Sequence, residues 1–142
     1  MKESQYQQKL AEILEKDQRY AADAYMFVAE AVSYTTKRGK TDSPAADNGK
    51  GRHISGGELL DGIRAYALEQ FGPLALDVFL DWGVDRTEDF GNIVFNLVEN
   101  GLLGASDEDS VDDFKDGYDF RKAFLQPFLP PAGKAKKRPR IP

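Results

Sequence analysis

Cysteine is absent and histidine occurs once, at His53, in a chain of 142 residues. The first absence excludes disulfide frameworks, thiolate zinc sites and cysteine nucleophiles. The second excludes histidine-rich metal centres and leaves a hydrolytic triad resting on one imidazole. No apolar run approaches the roughly 20 residues that a membrane-spanning helix needs, and no secretory signal precedes the first helical pattern. The expectation is a cytoplasmic protein with no membrane contact. The expected organisation is a single helical domain over residues 1–130 with a flexible basic loop at 37–52, followed by a disordered Pro-, Lys- and Arg-rich tail over 131–142.

Positive charge is scarce where the chain is most anionic. Residues 53–119 hold 16 acidic side chains against Arg64, Arg86 and Lys115 alone, whereas Lys134, Lys136, Lys137, Arg138 and Arg140 crowd the last nine residues without an acid among them. A second basic stretch, with Lys37, Arg38, Lys40, Lys50 and Arg52, lies in a Gly-, Pro- and Asn-rich context that buries no core.

Helical spacing supplies the fold class. Tyr6, Leu10, Ile13 and Leu14 predict a helix over about 3–16. Tyr20, Ala24, Phe27, Val28, Ala31 and Thr35 predict a second over about 19–36, capped by Asp17. Ser55-Gly56-Gly57-Glu58 reads as a capping box, with Ile54 and Leu59 as its hydrophobic staple, and opens a third helix over about 56–70. A fourth runs from Pro73 to Trp82 with Leu74, Val78, Phe79 and Trp82 inward, and Gly83 stops it. Thr87 caps a fifth, whose apolar face is Phe90, Ile93, Val94, Leu97 and Val98 and which Gly101 ends. Asp116-Gly117 between Phe114 and Tyr118 is a two-residue hairpin signal, for a short hairpin or an irregular wing, and Asp119 caps a last turn that brings Phe120, Ala123 and Phe124 to the body. The chain is therefore mainly α, a compact bundle of about five helices. Helices three to five with a hairpin after them match the order of a winged helix-turn-helix, and a plain five-helix bundle is the other reading.

Four segments carry a likeness: Arg19-Tyr20 through Ala24-Tyr25-Met26-Phe27-Val28, His53 through Gly62-Ile63-Arg64, Asp89-Phe90-Gly91-Asn92-Ile93 through Val98, and Asp113-Phe114 with Gly117-Tyr118-Asp119-Phe120. Together they resemble an uncharacterised family of small conserved proteins from planctomycetes and verrucomicrobia, over roughly residues 5–125. The resemblance implies a self-contained fold in a bacterial cytoplasm and carries no activity or catalytic residue.

Three chemistries merit weighing. Lys50, Arg52 and His53 before Gly56-Gly57 offer an anion site at a helix start, but the Gly-Lys-Ser/Thr ending of a Walker loop is missing and the capping box already uses first-turn amides. Asp107, Glu108, Asp109, Asp112, Asp113, Asp116 and Asp119 offer hard oxygen ligands without EF-hand spacing, so a solvated or partner-facing surface is the simpler reading and no metal or cofactor is expected. On the fifth helix Glu88, Asn92 and Glu99 surround Phe95, which either covers a second buried layer or meets a protein partner. Those carboxylates would repel a phosphate backbone, which argues against major-groove reading by this helix. The tail cations Lys134, Lys136, Lys137, Arg138 and Arg140 suit weak, sequence-independent contact with RNA or another polyanion. The functional expectation is a non-enzymatic binding module, an acidic protein-contact body with a basic arm. A pure protein-protein adaptor or oligomerisation unit is the alternative, ahead of an enzyme for a small phosphorylated ligand.

Overall fold

The computed structural model describes residues 3–42, 55–103 and 111–129. It is mainly helical, with five α-helices and no strand among the described residues. These are α1 (Glu3–Lys16), α2 (Ala22–Asp42), α3 (Gly56–Phe71), α4 (Ala75–Asp81) and α5 (Thr87–Glu99). A 3-10 turn at Gly72–Leu74 joins α3 to α4. A 3-10 turn at Val111–Phe114, a π turn at Arg121–Leu125 and a 3-10 turn at Gln126–Phe128 complete the described chain.

The expected apolar stripes form the core. Helix α2 packs along α3 and α5 through Ala24, Phe27, Val28 and Ala31, all buried. Its crossing with α3 is close because position 62 is glycine: a Cβ there would fall 1.7 Å from Thr35 Oγ1. That hydroxyl is itself buried and donates to the Ala31 carbonyl at 2.7 Å. Phe79 of α4 is the aromatic centre, with the rings of Phe27, Phe71, Trp82, Phe90, Phe120 and Phe124 all within 5.0–6.4 Å of its own. Edge-to-face contacts dominate this cluster, as ring quadrupoles favour.

Helix boundaries differ from the sequence reading in instructive places. Helix α2 starts at Ala22, not near 19, because Asp17 does not cap it: its carboxylate takes the Arg19 guanidinium instead, and the Ala21 amide donates to the Trp82 carbonyl at 3.1 Å. At its other end α2 runs on through residues 37–42 of the expected basic loop, where Lys and Arg are good helix formers, and reaches Asp42 two residues before Pro44. Residues 43–54, which include the rest of that loop, lie outside the described residues.

Helix α4 keeps Phe79 and Trp82 against the core as expected, but Leu74, expected inward, lies in the 3-10 turn that precedes the helix and is 61% exposed, and Ala75 and Leu76 take the inward places. Thr87 is not the cap of α5 but its first helical residue. It is buried, and its hydroxyl accepts from the Gly117 amide at 2.9 Å. Of the two expectations for Phe114–Tyr118, a short hairpin or an irregular wing, the hairpin does not form: the segment is irregular chain without strands. Phe114 ends a 3-10 turn and packs against Gly91 of α5, Asp116 adopts φ 52°, and the Tyr118 hydroxyl donates to the Leu60 carbonyl of α3 at 2.9 Å. Tertiary contacts to two different helices, α5 through Phe114 and α3 through Tyr118, thus hold the two flanks of Asp116-Gly117 apart from strand pairing. Gly83 (φ 89°) and Gly101 (φ 75°) end α4 and α5 as expected, and Asp119 caps the last turn by accepting from the Lys122 amide at 3.1 Å.

Candidate functional site

Helix α5 has three faces, and its sequence assigns each. Phe90, Ile93 and Leu97 enter the core. Asp89, Asn92 and Asn96, one turn apart, lie beside that stripe and meet the elbow between α1 and α2. Glu88, Phe95 and Glu99 fall on the side away from the core.

The middle face is a polar lock. The Tyr20 hydroxyl donates to Asp89 Oδ1 at 2.6 Å and accepts from Asn92 Nδ2 at 3.0 Å. Asn96 Nδ2 donates to the hydroxyl of fully buried Tyr25 at 2.9 Å and to Asp17 Oδ2 at 3.0 Å. Asp17 in turn holds Arg19 through Nε at 2.9 Å and Nη2 at 2.7 Å, and that guanidinium lies over the Tyr20 ring. The other oxygen of Asp89 accepts from the amides of Asp85 at 2.9 Å and Arg86 at 3.3 Å, which fastens the start of α5. Arg86 occupies the N-cap position and has no acceptor to return, so Asp89 supplies the side-chain capping alone. Gly83 lets the α4–α5 turn approach the elbow: a Cβ there would sit 2.3 Å from the Arg19 carbonyl oxygen.

Protonation reflects this wiring. Hydrogen bonds from Arg19 hold the Asp17 carboxyl well below the ordinary carboxylate range, and Asn96 adds to the effect. Burial, reinforced by Asp89, pushes the Tyr20 hydroxyl well above the usual phenol range. Burial does the same to Tyr118, with Asp61 adding to it. Because the folded-state acidity of Asp17 is enhanced, its contribution to stability is present above the ordinary carboxylate value near 4 and fades as pH falls below it. Urea unfolding of wild type and Asp17→Asn between pH 6 and pH 2 should show a stability gap that closes toward acid. A gap independent of pH would remove the ionised carboxylate from the lock.

A shallow, solvent-open cleft adjoins the lock, lined by Arg19, Tyr20, Asp85, Arg86, Glu88 and Asp89. Both arginines are already paired, Arg19 with Asp17 and Arg86 with Asp85 at 3.3 Å. Among the described residues no group of three or more metal-ligating side chains converges.

The expected site residues fall into distinct places. Glu88 and Asn92 are half-buried beside the cleft, Asn92 held by Tyr20, while Phe95 is 49% exposed and Glu99 exposed. Lys50, Arg52 and His53, the expected anion site, lie outside the described residues, as do Lys134, Lys136, Lys137, Arg138 and Arg140 of the tail and Asp107, Glu108 and Asp109 of the acidic run. Asp113, Asp116 and Asp119 are exposed. The capping box at Ser55 is formed, its Oγ accepting from the Glu58 amide and its own amide donating to Glu58, both at 3.1 Å. Sequence reasoning misses the polar lock, although Asp89, Asn92 and Asn96 at helical spacing beside an apolar stripe are a visible signal for it. Among the described residues no helix is long and apolar enough to cross a membrane. Comparison of the chain with protein-family models, curated proteins and solved structures finds no match.

Proposed function

We propose that the chain is a non-enzymatic binding module that meets a protein partner along the outer face of α5, while its basic C-terminal segment adds weak, sequence-independent attraction to RNA or another polyanion. The observation that carries this reading is the contrast between two phenylalanines of one helix: Phe90 is 1% exposed and Phe95 is 49% exposed, with Glu88 and Glu99 along the same face. A half-exposed aromatic side chain flanked by two carboxylates offers an apolar anchor with an acidic rim, which suits an apolar pocket with a basic rim. Asp89, Asn92 and Asn96 are committed to holding the fold, so the outward contact rests on Glu88, Phe95 and Glu99.

Capture of partners from nuclease-treated lysate by immobilised wild type and Phe95→Ala tests the face. The expected result is a set of proteins retained by wild type and lost from the variant; identical retention by both would remove the face from the account. The arm has its own test. Truncation after Gly133 deletes five cations, and with about five phosphates neutralised, affinity for single-stranded RNA should fall by roughly two orders of magnitude between about 50 and 200 mM salt in the full chain. Filter retention unchanged by the truncation would leave the tail a mere counterweight to the acidic body, as a pure adaptor requires.

A further inference from the structure

Among the described residues, four of the six exposed large apolar side chains lie on two connected regions: Leu74 and Leu80 at the start and end of the α4 region, and Phe128 and Leu129 where the described chain stops. The π turn at Arg121–Leu125 packs against both α4 and Gly72–Leu74 and passes directly into the turn that holds Phe128. Steps of about 100° per residue place Leu80, Asp77, Asp81 and Leu74 side by side around the outer face of α4, opposite Ala75, Leu76 and Phe79. Asp77 and Asp81 are exposed, and neither carboxylate makes a hydrogen bond or ion pair among the described residues. The face is a pair of open carboxylates framed by two leucines, Leu74 being 61% and Leu80 51% exposed.

We infer that this face seats the chain's own basic segment, residues 134–140, in an intramolecular contact. Three observations choose that occupant. Its charge is complementary: the segment holds Lys134, Lys136, Lys137, Arg138 and Arg140 and no acid. Its chemistry matches, because lysine and arginine carry apolar stems that cover leucine surface while their charged ends reach carboxylates. Its reach is favourable, since the chain leaves the described body at Leu129, four residues after the π turn that packs against α4, and the five residues to Lys134 span up to about 17 Å. Tethering raises the local concentration of such a segment to the millimolar range, so pairs too weak to hold a free peptide become occupied. The seat therefore competes with the polyanion for the same cations. It rests on the reading that the tail is the polyanion arm, and it adds that the body restrains that arm.

The absence of cysteine makes the test direct, because Pro142→Cys gives a unique attachment point for a nitroxide. At about 50 mM salt, where the Debye length exceeds 10 Å, amide broadening in the full chain should concentrate on residues 74–81, and it should fade at about 500 mM salt or on adding oligouridylate. Broadening no greater on α4 than on α1 would overturn the proposal. So would broadening seen only when labelled and isotope-enriched chains are mixed, which would assign the contact to a second copy.

A charge-matched pair of variants supplies the second readout. Asp77→Asn/Asp81→Asn should abolish the α4 broadening and raise RNA retention about two- to fivefold, the range expected for exposed ion pairs, beyond any rise given by Glu88→Gln/Glu99→Gln. Equal rises in the two variants would mean that only overall charge matters and would also overturn the seat. Loss of RNA binding on truncation without α4 broadening leaves the arm standing and removes the seat. Unchanged RNA binding on truncation removes the arm itself.

Discussion

Phe79→Ala is expected to lower the unfolding free energy by about 3 to 5 kcal/mol, enough to leave the chain partly unfolded at ambient temperature. Six aromatic rings converge on that one fully buried side chain, from α2, α3, the residue after α4, α5, and the π turn with the residue before it. Removing it opens a cavity whose walls belong to five elements, and rings that pack edge-to-face do not collapse into the space without losing their contacts to one another. Urea unfolding monitored by circular dichroism measures the loss. A change below about 1 kcal/mol would show that the helices are held together elsewhere.

The second large effect is expected at Asp89. Its carboxylate accepts from the Tyr20 hydroxyl and from two backbone amides at the start of α5, and Asp89→Ala abandons all three donors together. Hydrogen bonds to a charged acceptor contribute about 1.5 to 3 kcal/mol and an N-cap about 1, so the combined loss should be about 2 to 4 kcal/mol. The pattern of rescue is more telling than the size. Asp89→Asn keeps an oxygen for the amides but no charge for the phenol, and should recover about half. Tyr20→Phe should cost less in the Asp89→Ala background than in wild type, because of the hydroxyl's two partners only Asn92 is left. Additive losses in that double variant would mean that the two residues act independently.

Much of this architecture is legible in the order of residues alone. The stripes Leu10-Ile13, Ala24-Phe27-Val28-Ala31 and Phe90-Ile93-Leu97 announce their helices because a buried face must repeat at helical spacing. Ser55 with Glu58 announces the start of α3 because both halves of a capping box are local in sequence. The features that stay hidden are non-local. Gly117 looks like a hairpin turn from its neighbours, yet its place is fixed by Leu60 and Thr87: a Cβ there would lie 2.5 Å from Leu60 Cδ1, and its amide donates to Thr87. Asp17 is a reasonable cap by its position, but Arg19 and Asn96 take its oxygens. In α4 the sequence misplaces Leu74, because Pro73 reads equally well as the first residue of an α-helix and as part of the 3-10 turn it actually occupies.

The outer face of α5 is legible in part. Phe95 stands out because an aromatic residue interrupts an otherwise polar stripe, but sequence leaves two fates for it, a second buried layer or open surface. Its exposure supports the second, and a division of labour on α5 results: one face packs, one locks the elbow through Asp89, Asn92 and Asn96, and one, with Phe95, is left open, the face proposed above for a partner.

That division is tested most directly by the unfolding free energy of Phe95→Ala. A side chain that serves as open contact surface should be removable with a change within about 1 kcal/mol of wild type. A loss of about 3 kcal/mol or more, the size that core phenylalanines give, would make Phe95 part of the packing and contradict the contact face.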